Sequence, residues 1–276
     1  MQIIHTVSEL RKTLSPSASI GFVPTMGNLH AGHIKLVEIA KEHAQCVVVS
    51  IFVNPLQFGP NEDLASYPRT LQADCEKLKG FADIVFAPNV NEMYPHEQTM
   101  MITPPSIANT LCGASRPGHF AGVATVVMKL FNMVQPNIAV FGKKDFQQLF
   151  IVKQLVGQFN LPIDIIAGET IRESDGLALS SRNGYLSEKE RSTASQLNQA
   201  LQRAVNEIKG RKCAFNDIKK SVADELTANG WVVDYIAICN ADTLLPAIVN
   251  DTNLVVLAAA KLGKTRLIDN IEFQLK

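Results

Sequence analysis

The sequence predicts an α/β fold, with a parallel sheet in an N-terminal domain and a smaller α+β domain after it. Over the first two-thirds of the chain, apolar strand-like segments alternate with helical segments. Such alternation is typical of parallel strands joined by right-handed crossovers. After Arg182 the alternation stops, and helices followed by three strand-like runs indicate a second architecture. With 276 residues, of which 46% are hydrophobic, the chain can form one large core or two smaller ones.

The first part of the chain supplies the parallel strands in order. A short apolar run at residues 19–23 predicts a strand, and residues 31–43 carry an apolar stripe at helical spacing. Residues 46–53 are apolar and β-branched almost throughout, as expected for a strand covered on both faces. The same criteria predict helices at 71–78, 124–134 and 145–159, and strands at 83–87, 137–141 and 162–166.

The last third predicts the smaller α+β domain. Ser187 and Glu190 form a capping-box pattern that predicts the start of a long helix with a polar face. A second helix is expected at 217–228, before Gly230, and strands are expected at 231–239, 254–260 and 266–271. We place the domains at residues 1–172 and 173–276 and expect the second to close over the site of the first.

Composition excludes several classes of function. The formal net charge is zero, whereas nucleic-acid-binding domains usually carry a basic surface. The longest apolar run, at residues 46–53, is shorter than the about 20 residues that cross a bilayer, and the N-terminal residues lack a signal-peptide core. We therefore expect a cytoplasmic protein without a nucleic-acid or membrane partner. Scattered cysteines without a C-x-x-C pair predict free thiols at Cys46, Cys75, Cys112, Cys213 and Cys239.

The segment VPTMGNLHAGH, residues 23–33, joins the first of these strands to the helix that follows it. Gly27 and Gly32 remove side chains where the backbone must approach another group, and a helix N-terminus presents unsatisfied N–H groups that bind anions. His30 and His33 lie one helical turn apart, so both rings can hydrogen-bond phosphate oxygens. Two other interpretations stay open here. One is a capping or surface histidine; the other is a metal site, although helical zinc pairs are usually spaced four residues apart.

The histidine pair resembles the HIGH signature of the nucleotidyltransferase superfamily, whose members use a Rossmann-like sheet and a basic loop far downstream. In this chain the segment DGLALSSRNGYLS, residues 175–187, is the candidate for that loop. Ser180, Ser181 and Arg182 can bind phosphates there, and Gly176 and Gly184 allow a mobile turn. The alternative interpretation of this segment is an ordinary interdomain linker.

Three further segments stand beside predicted strands and helices where ligand sites form in parallel sheets. NPLQF follows the strand at 46–53, GKKDFQQ follows the strand at 137–141, and RPGHF precedes the helix at 124–134. Taken singly, each segment reads as a turn or a helix cap. Together they place polar side chains around one rim, namely Gln57, His119, Lys144, Asp145 and Gln148.

Six ordered segments carry a more specific resemblance. PTMGNLHAGH, SIFVNPLQF, YPRT, RPGHFAGV, FGKKDFQQ and DGLALSSRNGYL, along nearly the whole chain, resemble the pantoate–β-alanine ligase family. The order and spacing of six motifs are far more specific than the short histidine signature. Two positions vary within them: Phe146 stands where some relatives have tyrosine, and Asn28 stands where alanine is tolerated.

The resemblance implies ATP-dependent condensation of (R)-pantoate with β-alanine to pantothenate. In this family the pantoate carboxylate attacks the α-phosphate of ATP, giving pantoyl adenylate and pyrophosphate, and the β-alanine amine then displaces AMP. The resemblance also implies a homodimer, and Mg²⁺ that bridges the phosphates with few protein ligands. Those ligands are not identified by the sequence, and Asp74 is one candidate.

The resemblance also assigns residues to the site. His33 and His30 are the expected catalytic donors to the phosphates, and Lys144 and Arg182 are the expected fixed positive charges. Gln57 and Gln148 are expected to bind pantoate and β-alanine through their amide groups. The expected ATP-binding set is Met26, Gly27, Asn28, Leu29, His30, Ala31, Gly32, His33, Gly142, Lys143, Lys144, Asp145, Ile171, Leu179, Ser180, Ser181 and Arg182.

An acyl adenylate hydrolyses in water, so the site needs a gate. The segment GPNEDLASY, residues 59–67, has the composition of such a gate. Two rival functions are compatible with the histidine signature. One is an adenylyl- or cytidylyltransferase that acts on a phosphorylated small molecule, which has no need of the NPLQF and KKDFQQ segments. The other is a non-catalytic nucleotide-sensing protein that binds ATP without turnover.

Overall fold

The computed structural model describes residues 1–14, 19–60, 62–210 and 214–275. The chain divides into two compact units, called unit 1 and unit 2 below. The segments of unit 1 are Met1–Asn109, Arg116–Lys143 and Gln148–Glu169, and those of unit 2 are Thr110–Ser115, Lys144–Gln147 and Thr170–Lys276. The domain boundary expected at residues 172/173, and the closure expected of the C-terminal domain, stay predictions.

Unit 1 is built on a parallel sheet that has six strands within the described residues, in the order β1-β4-β3-β2-β5-β6. The strands are β1 (Gln2–Ile4), β2 (Ile20–Thr25), β3 (Cys46–Ile51), β4 (Ile84–Phe86), β5 (Ile138–Gly142) and β6 (Asp164–Gly168). The strand order reverses between β2 and β5, and ligands bind at such a switch point beyond the carboxyl ends of the strands. The predicted α/β class is confirmed.

The helices, in chain order, are α1 (Val7–Leu14), α2 (Ala31–His43), α3 (Leu71–Leu78), α4 (Val90–Met93), α5 (Cys112–Ser115), α6 (His119–Val134), α7 (Phe146–Gln158), α8 (Glu188–Thr193), α9 (Gln196–Lys209) and α10 (Phe215–Ala228). Short 3-10 helices lie at Pro55–Gln57, Ser106–Asn109, Lys143–Asp145 and Ser181–Tyr185. In the part of the chain that the structure describes, no helix has both the length and the apolar character to cross a membrane.

Apolar side chains of the central strands fill both faces of the sheet in unit 1. Phe22 and Val48 belong to the layer that includes residues of α1, α6 and α7. Val23 and Val49 belong to the layer that includes residues of α2 and α3. Successive strand residues point to opposite faces, and each fully buried side chain of this kind contributes about 1.5–3 kcal/mol. The prediction that the strand in residues 46–53 is covered on both faces is therefore confirmed.

The first predicted strand is longer than the sequence indicates. It is β2, and it continues to Thr25 and includes Pro24, which cannot donate to a ladder. Pairing of β2 with β5 involves Gly21 and Phe22, whereas Pro24 lies opposite Ser50 of β3. The proline therefore lies beyond the part of β2 that is paired on both sides.

Unit 2 has an antiparallel sheet of three strands within the described residues, in the order β7-β8-β9. These strands are β7 (Trp231–Asn240), β8 (Asn253–Leu262) and β9 (Thr265–Gln274). Leu201 of α9, Ile218 of α10 and Trp231 share one apolar core with the sheet. The capping box of Ser187 and Glu190 is confirmed. The single long helix expected after it is wrong, because a turn at residues 194–195 separates α8 from α9.

The cysteines that the structure describes form no disulfide with one another. Cys75 and Cys239 are buried, whereas Cys46 and Cys112 are partly exposed. Burial raises the pKa of the Cys239 thiol to about 11. Cys213 lies outside the described residues.

Candidate active site

The loop between β2 and α2 has a backbone conformation that explains its residues. Gly27 has φ 84° and Asn28 has φ 50°, so two consecutive residues are left-handed. Glycine adopts this conformation freely and asparagine tolerates it better than most residues. A Cβ on Gly27 would also lie 3.1 Å from Asp74 Oδ2. The loop therefore turns tightly at the carboxyl end of β2, beside the switch point of the sheet.

His30 and His33 form a reciprocal cap at the start of α2. The Gly32 N–H donates to His30 Nδ1 at 3.2 Å, and the His30 N–H donates to His33 Nδ1 at 3.2 Å. The two ring centroids are 4.1 Å apart. This geometry agrees with the expectation that both rings lie on one side of the first turn. It also agrees with the interpretation of His30 as a capping residue. Ala31 and Gly32 complete the same turn.

These caps determine which ring nitrogen carries the proton. A neutral imidazole accepts at one nitrogen and donates at the other. Because Nδ1 accepts in both His30 and His33, each neutral ring carries its proton on Nε2. The N-terminus of α2 thus combines two Nε2–H donors with its backbone amides and the positive end of the helix dipole. This combination suits binding of phosphate oxygens.

Gln57 lies next to this loop on the 3-10 helix after β3. The residue is buried, with 8% of its surface exposed. Its Nε2 donates to Met26 Sδ at 3.2 Å, and its Oε1 accepts from Asn54 Nδ2 at 3.0 Å. Asn54 is oriented in turn by Tyr94, whose hydroxyl donates to Asn54 Oδ1 at 2.7 Å. Burial raises the pKa of Tyr94, so its hydroxyl keeps the proton that it donates.

Gly122 allows α6 to approach the Gln57 turn closely. A Cβ at Gly122 would lie 2.2 Å from Leu56 O. The Gly122 carbonyl accepts from Asn54 Nδ2 at 3.2 Å. The second glycine of the RPGHFAGV segment, Gly122, is therefore required by backbone packing at the Gln57 turn.

His119 and Arg116 fix the backbone of Gln57 as well. His119 Nδ1 donates to Gln57 O at 2.8 Å, while its Nε2 accepts from Arg116 Nη1 at 2.8 Å. Arg116 also binds both carboxylate oxygens of Glu62, at 2.8 and 2.6 Å. Glu62 belongs to the segment at 59–67 predicted as a gate; Asn61 of that segment lies outside the described residues. Through these contacts the RPGHF segment holds the backbone of Gln57 in place.

The site residues expected after β5 are divided between the two units. Gly142 ends β5, and Lys143 Nζ lies 2.6 Å from Glu169 Oε1 in unit 1. Lys144 and Asp145 belong to unit 2, where Lys144 Nζ lies 3.6 Å from Asp145 Oδ2. Gln148 lies on α7 in unit 1 and is partly exposed.

In unit 2 the structure brings Lys144 near the segment at 175–187. Lys144 and Ser180 line one cavity, together with Asn183 and Asp269. Ser180 caps the 3-10 helix Ser181–Tyr185 by accepting from the Arg182 N–H at 3.2 Å. The proximity of Lys144 and Ser180 is consistent with a shared anion site in this unit.

The base of that segment is held by one backbone bond between two expected site residues and by an ion pair, Arg172–Asp269, that is not predicted from the sequence. The Leu179 N–H donates to Ile171 O at 2.9 Å. Arg172 donates to both oxygens of the buried Asp269, at 2.7 and 2.9 Å, and to Gly176 O at 3.0 Å. Arg172 and Asp269 are 97 positions apart, so no local sequence pattern links them.

Asp74 does not have the environment expected of a magnesium ligand. Its side chain is fully buried, and both carboxylate oxygens accept hydrogen bonds from the Gly27–Leu29 loop. Within the described residues, no group of three or more His, Cys, Asp or Glu side chains can hold a metal ion.

Several known proteins resemble the chain over nearly its whole length. A model of the family described as pantoate-beta-alanine ligase matches residues 2–272. The pantothenate synthetase of Methylobacillus flagellatus is 64% identical over 276 residues, covering 100% of this chain and 99% of the relative. That of Thiobacillus denitrificans is 57% identical over 274 residues, covering 99% of this chain and 97% of the relative.

Solved structures agree with these relatives. The pantothenate synthetase of Thermus thermophilus has a TM-score of 0.93 and 44% identity, covering 98% of this chain and 99% of that chain. The pantoate-beta-alanine ligase of Francisella tularensis, solved in complex with beta-gamma ATP and beta-alanine, has a TM-score of 0.83 and 36% identity, covering 98% and 97%. With the family model matched over nearly all of its residues, the chain belongs to the pantoate–β-alanine ligase family.

Proposed function

We propose that this chain condenses pantoate with β-alanine in two steps, with ATP activating the pantoate carboxylate. Family membership supports the overall reaction. The mechanism is inferred from His30 and His33, whose imidazoles cap the N-terminus of α2. The solved relative from Francisella tularensis contains ATP-like and β-alanine ligands, which supports the same two substrates here.

In the first step, a carboxylate oxygen of pantoate attacks the α-phosphorus of ATP. The bond to the β-phosphate oxygen breaks, and pyrophosphate leaves with the electron pair. Negative charge grows on the phosphate oxygens, and the Nε2–H groups of His30 and His33 stabilise it as preorganised donors. Removing one such donor typically lowers the rate by about 10²–10³. The backbone amide of Ala31 adds an uncharged donor at the same helix end.

The fixed positive charges implied by the family resemblance complete the neutralisation in this proposal. Lys144 is assigned to the α-phosphate, and Arg182 to the β- and γ-phosphates. Ser180 and Ser181 add hydroxyl donors. Mg²⁺ enters with ATP as part of the substrate, because it keeps most of its ligands as water and phosphate oxygens.

In the second step, the neutral amine of β-alanine attacks the acyl carbon of pantoyl adenylate. The bond between that carbon and the AMP oxygen breaks, AMP leaves, and the nitrogen loses one proton as the amide forms. We assign Gln57 and Gln148 to the pantoate hydroxyls and carboxylate, and Gln57 also to β-alanine. The contacts of Gln57 with Asn54 and Met26 hold its amide in place for this task.

An isotope-exchange assay tests the proposal. Labelled pyrophosphate should enter ATP only when pantoate is present, and AMP should be released only after β-alanine is added. Exchange supported by a phosphorylated alcohol instead of pantoate would favour an adenylyltransferase. ATP binding without exchange would favour a non-catalytic nucleotide sensor.

The proposal includes a homodimer in the cytoplasm, as implied by the family resemblance. Light scattering of the purified chain should give twice its mass of 30.2 kDa. A monomer at enzyme-assay concentrations that retains full activity would contradict the dimer assignment and leave the reaction assignment intact.

A further inference from the structure

Asp74 of α3 is a fully buried carboxylate with a dense set of donors. Its Oδ2 accepts from the Asn28 N–H at 2.8 Å and from Thr70 Oγ1 at 2.9 Å. Its Oδ1 accepts from the Leu29 N–H at 2.8 Å. Burying an ionised carboxylate is costly unless hydrogen bonds compensate it. Both oxygens are thus engaged by the loop and by α3's own N-cap residue.

Lys77 holds the same loop from the next turn of α3. Its Nζ donates to Leu29 O at 2.6 Å and lies 4.0 Å from Asp74 Oδ1. The backbone of Leu29 is therefore held at its N–H by Asp74 and at its carbonyl by Lys77. We call Thr70, Asp74 and Lys77 the α3 clamp.

The α3 clamp acts where the backbone conformation is least favourable. Gly27 and Asn28 are left-handed, and a non-glycine residue in this region carries strain that surrounding contacts must offset. Consecutive N–H groups in such a turn point toward one anion, and the anion here is the Asp74 carboxylate. Leu29 directly precedes His30, so the clamp sets where the reciprocal histidine cap begins.

We propose that Asp74 is a positioning residue for adenylate formation, acting with Lys77 through the Gly27–Leu29 backbone to place His30 and His33. The proposal rests on the phosphate-binding role assigned above to these histidines. Asp74 is 0% exposed, so it reaches the substrate only through the loop. A magnesium ion on this carboxylate would have to displace the amide donors that define the turn.

The first experiment compares Asp74→Asn and Lys77→Met with the matched control Lys79→Met. Asparagine keeps the volume of Asp74 but replaces one acceptor oxygen with an N–H₂ group, which faces a donor. We expect kcat of pantoate-dependent exchange to fall about ten- to hundredfold, because the histidine donors are displaced and not removed. The KM for pantoate should change little. Lys79 is exposed and pairs with Glu76, so its variant should match the parent.

A double-mutant cycle separates positioning from a general structural role. If Asp74 acts through the imidazoles, Asp74→Asn should cost much less in a His33→Ala background than in the parent. Equal losses in both backgrounds would overturn the proposal. So would an Asp74→Asn enzyme that needs much more Mg²⁺ for half-maximal rate, since that result identifies a metal ligand. Should Asp74→Asn fail to fold, Lys77→Met carries the same cycle.

Nuclear magnetic resonance keeps this test separate from the proposed function. In the parent, the amide protons of Asn28 and Leu29 should resonate downfield because they bind a carboxylate, and both imidazoles should show Nε2–H nitrogen shifts. Lys77→Met should move these signals, and Lys79→Met should not. Unchanged imidazole signals in Lys77→Met would overturn the clamp. Absence of pantoate-dependent exchange in the parent would instead overturn the proposed function.

Discussion

The histidine pair of unit 1 caps the start of α2 within one helical turn, although distant Asp74 holds the residues just before it, whereas the base of the loop at 175–187 in unit 2 is held by a distant strand. His30 and His33 cap each other within one turn. The unit 2 loop depends on Arg172, whose partner Asp269 is 97 positions away. The contrast predicts that catalytic rate and stability respond separately to changes at the histidine cap and together to changes at the base of the second loop. Changes at the cap should lower the rate, and changes at the base of the second loop should also lower stability.

The largest effect on rate is expected for His33→Ala. Loss of one phosphate donor should lower kcat about 10²–10³-fold, while loss of the cap costs about 1 kcal/mol in stability. Steady-state exchange assays and denaturant unfolding measure the two effects. His43→Ala is the matched control, because His43 lies exposed at the other end of α2. A His33→Ala enzyme that turns over as fast as the parent would contradict the expected difference between the two loops.

The largest effect on stability is expected for Arg172→Met. This change leaves the buried Asp269 carboxylate without its bidentate partner, and breaking a buried pair costs about 3–5 kcal/mol. Urea unfolding of the whole chain should show the loss. Arg203→Met is the control, because its pair with Glu225 is exposed and such pairs contribute about 0–1 kcal/mol. Equal losses in the two variants would contradict a structural role for the distant ion pair.

A smaller effect on stability is expected for Gly122→Ala. Its Cβ would meet Leu56 O at 2.2 Å, and overpacking of this kind costs about 1–3 kcal/mol. Because the displaced turn carries Gln57, the KM for pantoate should rise as well. Gly157→Ala on α7 meets no atom within 4 Å and should stabilise the protein by about 0.5–1 kcal/mol. An unchanged KM for pantoate in Gly122→Ala would contradict the assignment of Gln57 to the pantoate site.

The smallest effect is expected for Asp175→Asn in the unit 2 loop. The hydrogen bond from Arg191 lowers the pKa of Asp175 below its ordinary 3.8. A lowered pKa stabilises the fold above that value, and the gain is lost as pH falls through the lowered pKa. The carboxylate is 36% exposed, so the gain is about 1 kcal/mol or less. The unfolding free energies of parent and variant should differ at pH 7 and converge in acid. A difference that persists in acid would show that it arises from a contact other than the Asp175 carboxylate.

Sequence patterns predict the regions of this molecule whose contacts are local. The α/β class, the doubly covered strand in residues 46–53 and the Ser187–Glu190 capping box follow from periodicity and from short-range capping chemistry. The position of the histidine loop after a strand follows in the same way. The edge strand β1 covers Gln2–Ile4, and no strand is predicted there from the sequence.

Contacts between distant residues are the part that the sequence does not reveal. The bonds from Asp74 to the amides of Asn28 and Leu29 span 46 and 45 positions, and nothing near Asp74 distinguishes it from a surface or metal-binding carboxylate. The Arg172–Asp269 pair is hidden for the same reason. Asn54 is a partial exception, because asparagine before proline is a common cap at the start of a helical turn.

A crystal structure with pantoate and a non-hydrolysable ATP analogue is the decisive test of the proposed phosphate site. We predict that Nε2 of His30 and Nε2 of His33 lie about 2.7–3.2 Å from phosphate oxygens, with Nδ1 of each ring still accepting a backbone N–H. A nucleotide whose phosphates lie elsewhere, or imidazoles that bind them through Nδ1, would contradict the account.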